Sequence, residues 1–444
     1  MSLRRYPVYG HSGVEWLGQV PKHWSISRLR SQMRLLTEKT NRRNNALGLE
    51  NIEGWSGRLI GTDSEFEGNG IAFRQGDILF GKLRPYLAKV HLAETDGEAV
   101  GDFHVLRPAA TLHGRFAQYQ MLNRSFVEVV AGTTFGSKMP RANWESLGAM
   151  PFAVPSPNEQ AAIATFLDRE TAKIDALIAE QEKLIALLAE MRLAIISHSV
   201  TRGLDAKVPA LDFDLAGMKR VPRHWTVCSI RRILVRVEQG WSPDCLARSA
   251  EGEEWGVLKA GCVNGGKFNS SENKALPEAL EPDPSIEVMN GDVLMSRASG
   301  SPQLVGATAY ISNPPPRLML SDKTFRLRLR PTMLPQFFAL TLGAKYMRSQ
   351  IQQAISGASG LANNLPQSSL KSFAIAVPPP VEQQQIVEAV ESETARLEVL
   401  LIEAERAITL LKERRGALIS AAVTGQIDVR DVVTQHAAEE EFAA

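Results

Sequence analysis

Two long stretches of the chain repeat mostly apolar residues at alternating steps of three and four positions, the spacing of a coiled-coil seam. In the first stretch the repeating positions are Leu167, Glu170, Ile174, Leu177, Gln181, Leu184, Leu188, Met191 and Ile195. In the second they are Val390, Glu393, Leu397, Leu400, Ala404, Ala407, Leu411, Arg414 and Leu418. A long amphipathic helix must bury its seam, so we predict that these two helices pack against each other.

Pro157 and Pro380 stand just before the two stretches, where proline can begin a helix but cannot continue one. About 40 residues at a rise of ~1.5 Å each give a rod of roughly 60 Å. The polar Arg414 at a seam position is predicted to mark an end of the helical contact.

Further apolar residues lie beside the predicted seams and make the apolar face wider than a two-stranded coiled coil needs. One interpretation is that they cover the globular parts of the chain, and the other is that they form a docking surface for another subunit. The candidate subunit-interface residues are Ile178, Ile185, Leu187 and Ile196 in the first helix and Leu401, Ile408, Leu410 and Ile419 in the second.

The remaining segments have a different pattern, with short β-branched and apolar runs broken by Gly, Pro, Asn and Asp. Residues 76–80 and 291–295 each read as a Gly-Asp turn followed by a strand. Helical patterns occur around residues 116–130 and 335–355. We therefore predict an α+β fold for each of these segments.

The chain contains an internal repeat. The motif at residues 20–24 recurs at 221–225, and the proline-rich segment ending in Glu159-Gln160 recurs ending in Glu382-Gln383. From residue 158 to 205, 20 of 48 positions are identical to those found 223 residues later. The repeat predicts globular domains at 1–155 and 207–378, helical regions at 156–206 and 379–433, and a disordered tail at 434–444.

Charge is distributed unevenly, although the net charge of the whole chain is only +1. Residues 1–155 carry a net charge of +5 and residues 207–378 carry +6, whereas the helical residues 156–206 carry −3 and residues 379–444 carry −7. Basic globular domains suit contact with phosphates, which supply most non-specific affinity for DNA.

Composition excludes several other classes of protein. The chain is 44% hydrophobic and 22% charged, which is ordinary for a globular protein. Its three cysteines have no clamp spacing and its eight histidines have no metal-ligand spacing. The N-terminus has no signal-peptide core and no run approaches 18 apolar residues. We therefore expect a cytoplasmic protein that binds no metal and spans no membrane.

The order of domain, Glu-Gln signature and long helix, present twice, resembles the specificity subunit of type I restriction–modification systems over nearly the whole chain. The segment from Tyr6 to Trp24 is similar to the N-terminal lead of that family. The resemblance implies two pseudo-symmetric α/β target recognition domains joined by two long antiparallel helices that form a coiled coil. Each domain would read one half of a split, asymmetric site in double-stranded DNA, and the helical pair would set the gap between the halves.

The resemblance also implies partners. Two methyltransferase subunits would carry S-adenosylmethionine and methylate adenine, so this chain itself would bind no cofactor. Restriction subunits, which are ATP-dependent motor nucleases, can join such a core.

Candidate DNA contacts in the first domain lie in two segments. The segment at residues 81–86 follows a predicted strand and resembles one common in these recognition domains, and the segment at 132–141 is a glycine-punctuated loop with small hydrogen-bond donors and two cations. The alternative for both segments is an ordinary surface turn or loop. The candidates are Lys82, Arg84, Tyr86, Thr133, Ser137, Lys138 and Arg141.

The corresponding segments of the second domain carry different side chains. Arg297 and Ser299 match the first segment, and the loop at 356–364 offers Asn363 and Asn364, whose amides can pair with adenine. Two unlike half-sites follow from this difference.

No catalytic motif is evident in the sequence. There is no phosphate-binding Gly-Lys loop and no nucleophile elbow. The segment at residues 313–316 is similar to the Asn-Pro-Pro-aromatic motif of amino-methyltransferases, but Pro316 replaces the aromatic ring. We therefore expect no catalytic residues. The alternatives are a fused DNA methyltransferase and a coiled-coil adaptor protein without DNA binding.

Overall fold

The computed structural model describes residues 4–41, 45–61, 68–136, 138–215, 218–355 and 363–431. Contacts divide the chain into two compact units, and the division runs through both long helices. The first unit combines the residues up to Glu182 with those from Glu405 onwards, and the second runs from Lys183 to Ala404. The predicted disordered tail at 434–444 lies outside the described residues.

The first unit contains a globular part, which we call the first module, and one end of each long helix. Its strands are β1 (Tyr9–His11), β2 (Gln19–Pro21), β3 (Ser25–Arg28), β4 (Met33–Leu36), β5 (Lys39–Thr40), β6 (Ala46–Leu47), β7 (Gly70–Phe73), β8 (Ile78–Gly81), β9 (Val90–Leu92), β10 (Gly97–Val100), β11 (Phe103–Pro108) and β12 (Pro151–Val154). Its helices are α1 (Leu29–Gln32), α2 (Gly114–Met121), α3 (Arg124–Gly132), α4 (Trp144–Ala149), the start of α5 (Pro157–Arg202) and the end of α9 (Pro380–Val423).

An antiparallel sheet in the order β4-β11-β8-β9 forms the centre of the first module. A second sheet, in the order β5-β7-β10-β6, contains a parallel pair between β10 and β6. Phe80, Phe116 and Phe126 are fully buried in a core that also takes in Leu167 of α5 and Ile419 of α9. Both long helices are therefore anchored by the same core.

The second unit contains the second module and the other end of each long helix. Its strands are β13 (Ala210–Leu215), β14 (Met218–Pro222), β15 (Thr226–Ser229), β16 (Leu234–Gln239), β17 (Gly256–Leu258), β18 (Asn273–Ala275), β19 (Val293–Ser296), β20 (Ala298–Ser299), β21 (Thr308–Tyr310), β22 (Leu318–Met319), β23 (Thr324–Leu329), β24 (Asn363–Asn364) and β25 (Ala374–Val377). Its shorter helices are α6 (Pro335–Gly343), α7 (Lys345–Ala354) and α8 (Gln367–Ser372).

The second module repeats the topology of the first. Its central antiparallel sheet has the order β16-β23-β19-β21, and its smaller sheet, β18-β17-β22, again contains a parallel pair. Strands β3 and β12 pair at the base of the first module, just as β15 and β25 do in the second. The predicted α+β fold and pseudo-symmetry are confirmed.

The Gly-Asp turn before the central strand is held in the same way in both modules. Asp77 accepts a hydrogen bond from the backbone N–H of Arg74 at 2.8 Å and two from the guanidinium of Arg107, both at 2.7 Å. Asp292 accepts from the N–H of Met289 at 2.9 Å and from Arg328 at 2.7 Å. A buried carboxylate with these charge-assisted partners fixes the turn and the strand after it.

The Glu-Gln signature connects each long helix to its module through a buried amide. The Gln160 side chain accepts from the N–H of His113 at 2.7 Å and donates to the carbonyls of Thr111 and Pro155. Gln383 accepts from the N–H of Leu334 at 2.7 Å and donates to the carbonyls of Thr332 and Pro378. One side chain thus satisfies three backbone groups of the module.

The glutamate of the signature bonds to the His-Trp motif that recurs near the start of each module. Glu159 contacts the ring nitrogen of His23 at 2.9 Å and accepts from the indole of Trp24 at 3.4 Å, and Glu382 contacts His224 at 2.7 Å. Burial alone would raise the pKa of Glu159, but the hydrogen bonds from His23 and Ser156 outweigh it and hold that pKa below the usual range.

The two long helices are antiparallel within each unit. In the first unit, Ile163 and Leu167 of α5 share a core with Ile419 and Val423 of α9, and further along α5 Asp175 contacts Arg415. In the second unit, Ile196 and Val200 of α5 share a core with Ile386 and Val390 of α9.

The predicted seam is wrong at every second position. The inward residues of α5 include Thr171, Ile178, Ile185 and Arg192, each one place after the predicted Glu170, Leu177, Leu184 and Met191. In α9 they include Thr394, Leu401, Ile408 and Arg415, while Leu400 and Arg414 are exposed. Neighbouring apolar residues such as Leu177 and Ile178 both fit a period near 3.5, so spacing alone could not choose between them.

By length and composition, α5 is the one helix among the described residues that could span a membrane. Its two ends are instead packed in the cores of the units, through Leu167 at one end and Val200 at the other. A single apolar helix of this kind is weak evidence for a membrane segment.

We expect Gln383→Ala to lower the free energy of unfolding by about 3 kcal/mol, because three buried backbone groups lose their partner. Urea denaturation followed by tryptophan fluorescence measures this as a lower midpoint at unchanged slope. Gln384→Ala is the matched control, because the amide of Gln384 is exposed and bonds to the exposed Glu388, and it should change stability by less than about 0.5 kcal/mol. Equal losses in the two variants would contradict the role of the buried amide.

Candidate nucleic-acid interface

The two candidate segments of the first module meet at one end of its central sheet. Leu83 forms a β-bridge with Arg141, the N–H of Arg84 donates to the carbonyl of Pro140 at 2.8 Å, and the N–H of Ala142 donates to that of Lys82 at 2.9 Å. Residues about 60 positions apart in the sequence therefore form one surface, which we call the first reading surface. It comprises the described residues of segments 82–86 and 133–141.

One carboxylate pairs with two of the predicted cations on this surface. Arg141 donates to both oxygens of Asp102, at 3.1 and 2.9 Å, and the ammonium of Lys82 lies 3.7 Å from the same group. The hydrogen bond from Arg141 outweighs burial and, with the charge of Lys82, holds the pKa of Asp102 below its usual range. Both cations are thus held in place, and the single negative charge of Asp102 offsets one of their two positive charges.

Arg84 and Tyr86 project from a short turn after β8. Arg84 has a left-handed backbone with φ of 51° and caps a 3₁₀ turn at Pro85–Leu87. Arg84 is exposed, and Tyr86 is 47% exposed. Arg84 and the exposed Lys138 of the neighbouring loop are therefore both accessible to a phosphate or a base edge.

Other predicted contacts in the loop are placed differently. The hydroxyl of Thr133 donates to the carbonyl of Val130 at 2.9 Å. Its proton is therefore already bonded at the C-terminus of α3 and is not available to a ligand. Ser137 lies outside the described residues. Phe135, which the sequence reasoning missed, is 69% exposed and is the most accessible aromatic side chain of the first reading surface.

The second module brings its candidates together by the same kind of pairing. Strand β20 pairs with β24, so that Ala298 faces Asn364 and Ser299 faces Asn363. The backbone of Arg297 bonds to Lys323 on one side and to Leu365 on the other, at 2.8 and 2.9 Å. We call segments 297–299 and 363–364, with Trp241 described below, the second reading surface.

The predicted contact residues of this surface differ in how available they are. The Arg297 guanidinium donates to the carbonyl of Asp322 at 3.0 Å, which fixes its direction and leaves it half-buried. The amide of Asn363 donates to the carbonyl of Gly300 at 3.3 Å. Both side chains therefore keep only part of their hydrogen-bonding capacity for a ligand.

Trp241 also belongs to this surface and was missed by the sequence reasoning. Its backbone N–H donates to the carbonyl of Leu320, and the residue is 40% exposed. The adjacent Ser242 bonds to Asp322, whose carbonyl accepts from Arg297. A Cβ on Gly240 would lie 1.8 Å from the carbonyl oxygen of Leu320, so glycine is required for this approach. A Gly-Trp pair directly after a strand was the available signal.

The candidate subunit-interface residues fall into three groups. Ile196 and Ile419 are only 6% and 2% exposed and belong to the two module cores, so for these two the alternative interpretation, that they cover the modules, is correct. Ile178, Ile185, Leu401 and Ile408 are half-buried on the inward side of the helices. Leu187 and Leu410, 223 positions apart and therefore equivalent in the repeat, are exposed.

Other exposed apolar residues accompany these two leucines. Leu184 and Met191 lie three before and four after Leu187, so the three side chains share one face of α5 within the second unit.

In the described part of the chain no group of His, Cys, Asp and Glu side chains could hold a metal ion.

Residues 250–403 match the sequence model of a family described as "Type I restriction modification DNA specificity domain". The specificity subunit of the type I restriction enzyme EcoEI from Escherichia coli is 32% identical over 173 residues, which is 38% of this chain but only 29% of the EcoEI subunit. The EcoKI specificity subunit from E. coli K12 is 21% identical over 324 residues, covering 73% of this chain and 68% of that subunit.

A solved structure is similar over most of its length. It comes from work described as "Structural basis underlying complex assembly and conformational transition of the type I R-M system" and superposes with a TM-score of 0.60. The match covers 91% of this chain and 98% of that chain at 17% sequence identity, which shows a shared fold.

We expect Arg141→Ala to raise the pKa of Asp102 toward the ordinary value of about 3.9, because the hydrogen bond that stabilises the charged carboxylate is removed. Carboxyl carbon chemical shifts followed by NMR from pH 2 to 6 measure the change. Arg124→Ala, at an exposed arginine whose salt-bridge partner is Glu128, is the control and should leave the titration of Asp102 unchanged. An unaltered titration in Arg141→Ala would rule out the assigned contact.

Proposed function

We propose that the chain is the DNA-reading subunit of a type I restriction–modification enzyme, because it is similar to the specificity subunits of that family in sequence and in fold. Each module binds one half of a split, asymmetric site in double-stranded DNA. The chain directs its partner subunits to that site and contributes no catalytic group of its own.

The observation that carries this proposal is the pair of reading surfaces. Both lie at the same end of the same sheet topology, yet one presents Arg84, Tyr86 and Phe135 and the other presents Arg297, Asn363 and Trp241. A shared scaffold with unlike side chains suits two different half-sites, since base edges are read by the donors and acceptors offered to them. The net charges of +5 and +6 on the two globular segments favour contact with phosphates.

We further propose that the exposed apolar faces of the helices bind methyltransferase subunits, one on each copy of the repeat. Leu187 and Leu410 are equivalent in the repeat and exposed, so two copies of one partner would find two similar surfaces. The partner, and not this chain, would bind S-adenosylmethionine, and restriction subunits would join the same assembly. Such an assembly works on cellular DNA, so we place the protein in the cytoplasm.

Binding to DNA in the presence of the cognate methyltransferase tests the proposal against its alternatives. The site is first obtained as the methylated motif of the host genome, and affinity for it should fall steeply with salt. Binding that ignores the motif would favour an adaptor protein. Methyl transfer by the purified chain alone would favour a fused methyltransferase.

We expect Arg84→Ala and Arg297→Ala each to weaken binding through one half-site only, by about 1–3 kcal/mol, if the arginine pairs with a guanine edge. Competition with duplexes altered in one half or the other measures this. Arg124→Ala, which removes an exposed arginine paired with Glu128 away from the first reading surface, is the control. Equal loss on unrelated DNA would show that the two arginines contact phosphates.

We expect Leu187→Glu and Leu410→Glu each to weaken methyltransferase binding at least about tenfold, because a charge is placed in an apolar contact. Sedimentation or calorimetry with the isolated methyltransferase subunit measures the loss. Ala186→Glu and Thr409→Glu introduce the same charge one position away on exposed faces and should have little effect. Unchanged binding in the leucine variants would contradict this docking surface.

A further inference from the structure

A buried ion pair connects α9 to the first module. The Nε of Arg415 donates to Asp175 of α5 at 3.0 Å, and its Nη1 donates to the backbone carbonyl of Trp55 at 2.9 Å. The two charged side chains are only 11% and 15% exposed. The guanidinium therefore joins both helices and a loop of the module within the first unit.

The loop that Arg415 holds is itself bonded to the turn carrying Arg84 and Tyr86. The N–H of Trp55 donates to the carbonyl of Ala88 at 3.0 Å, and that of Leu87 donates to Arg84 at 2.9 Å. A Cβ on Gly54 would lie 2.4 Å from the carbonyl oxygen of Leu87, so the loop and the turn are in close contact. Two hydrogen bonds thus lead from the helix to the turn of the first reading surface.

The other copy of the repeat also has an arginine and a carboxylate at these positions, but their contacts in the second unit are longer or more exposed. Arg192 and Glu398 are the equivalents of Arg415 and Asp175 at the offset of 223 residues. Arg192 reaches the carbonyl of Gly265 at 3.4 Å, and Glu398 pairs with Lys267 at 2.8 Å with the two side chains 40% and 61% exposed. Exposed ion pairs hold less firmly than buried, hydrogen-bonded ones.

We propose that Arg415 is a positioning residue for DNA recognition: through the Trp55 loop it holds the turn of Arg84 and Tyr86 in the orientation that reads the first half-site. The proposal rests on the proposed function, because it gives Arg415 an indirect role in DNA recognition that acts through Trp55. The second module depends less on Arg192, whose contact is longer and more exposed.

Hydrogen exchange in the free full-length chain tests the contact without DNA. In Arg415→Ala the Trp55 amide, which donates to the carbonyl of Ala88, should exchange at least about tenfold faster than in the wild type, because the carbonyl of the same residue loses its charge-assisted bond to the guanidinium and the loop opens more often. Arg415→Lys should be intermediate, since one ammonium cannot bond both acceptors in the same geometry. Arg414→Ala, at the exposed neighbouring arginine, is the control and should match the wild type.

The double variant Asp175→Asn with Arg415→Ala separates positioning from stability, because it leaves no unpaired buried charge. It should keep the melting temperature of the wild type within a few degrees and still show fast exchange at Trp55. With the cognate methyltransferase present, it should lose about tenfold in affinity for the half-site assigned by Arg84→Ala and nothing for the other.

Two results would overturn the proposal. Unchanged exchange at Trp55 in Arg415→Ala would show that the guanidinium does not hold the loop. Fast exchange with equal loss on both half-sites would show a structural role alone. If the wild type itself fails to discriminate DNA, the proposed function fails, and the exchange result still decides whether Arg415 holds the loop.

Discussion

Each long helix begins with a glutamine whose amide is enclosed by the module that precedes it. Gln160 and Gln383 satisfy three backbone groups apiece, and the neighbouring glutamates bond to histidines near the start of the modules. Because these contacts are buried and complete, the helix cannot rotate about its axis without breaking them. The direction in which each helix leaves its module, and so the face that each heptad presents, follows from this junction.

The order of modules and long helices was predictable from the sequence because the chain contains an internal repeat. Matching two copies identified the long helices, their junctions and the equivalent Gly-Asp turns without knowledge of any contact. The inward face of the helices was not predictable, since Leu177 and Ile178, or Leu184 and Ile185, both suit a coiled-coil period. The structure turns the isoleucines inward, and this choice depends on tertiary packing that no local pattern records.

The reading surfaces were found only in part. Segments about 60 residues apart were named separately, and the β-bridges that join them depend on tertiary pairing. The sequence named Lys82 and Arg141 as candidate DNA contacts, but it did not reveal that Asp102, which is 20 positions from one and 39 from the other, pairs with both. Phe135 and Trp241 were missed because an aromatic residue in a loop reads as core until its exposure is known.

The strand pair that closes each module has a consequence for how the module is connected to the rest of the chain. Strands β3 and β12 pair so that Ser25 faces Val154, and β15 and β25 pair so that Thr226 faces Val377. The chain therefore enters and leaves each module at adjacent points on a two-stranded ribbon. Everything between those points can therefore be exchanged as one unit without altering the two long helices that carry it.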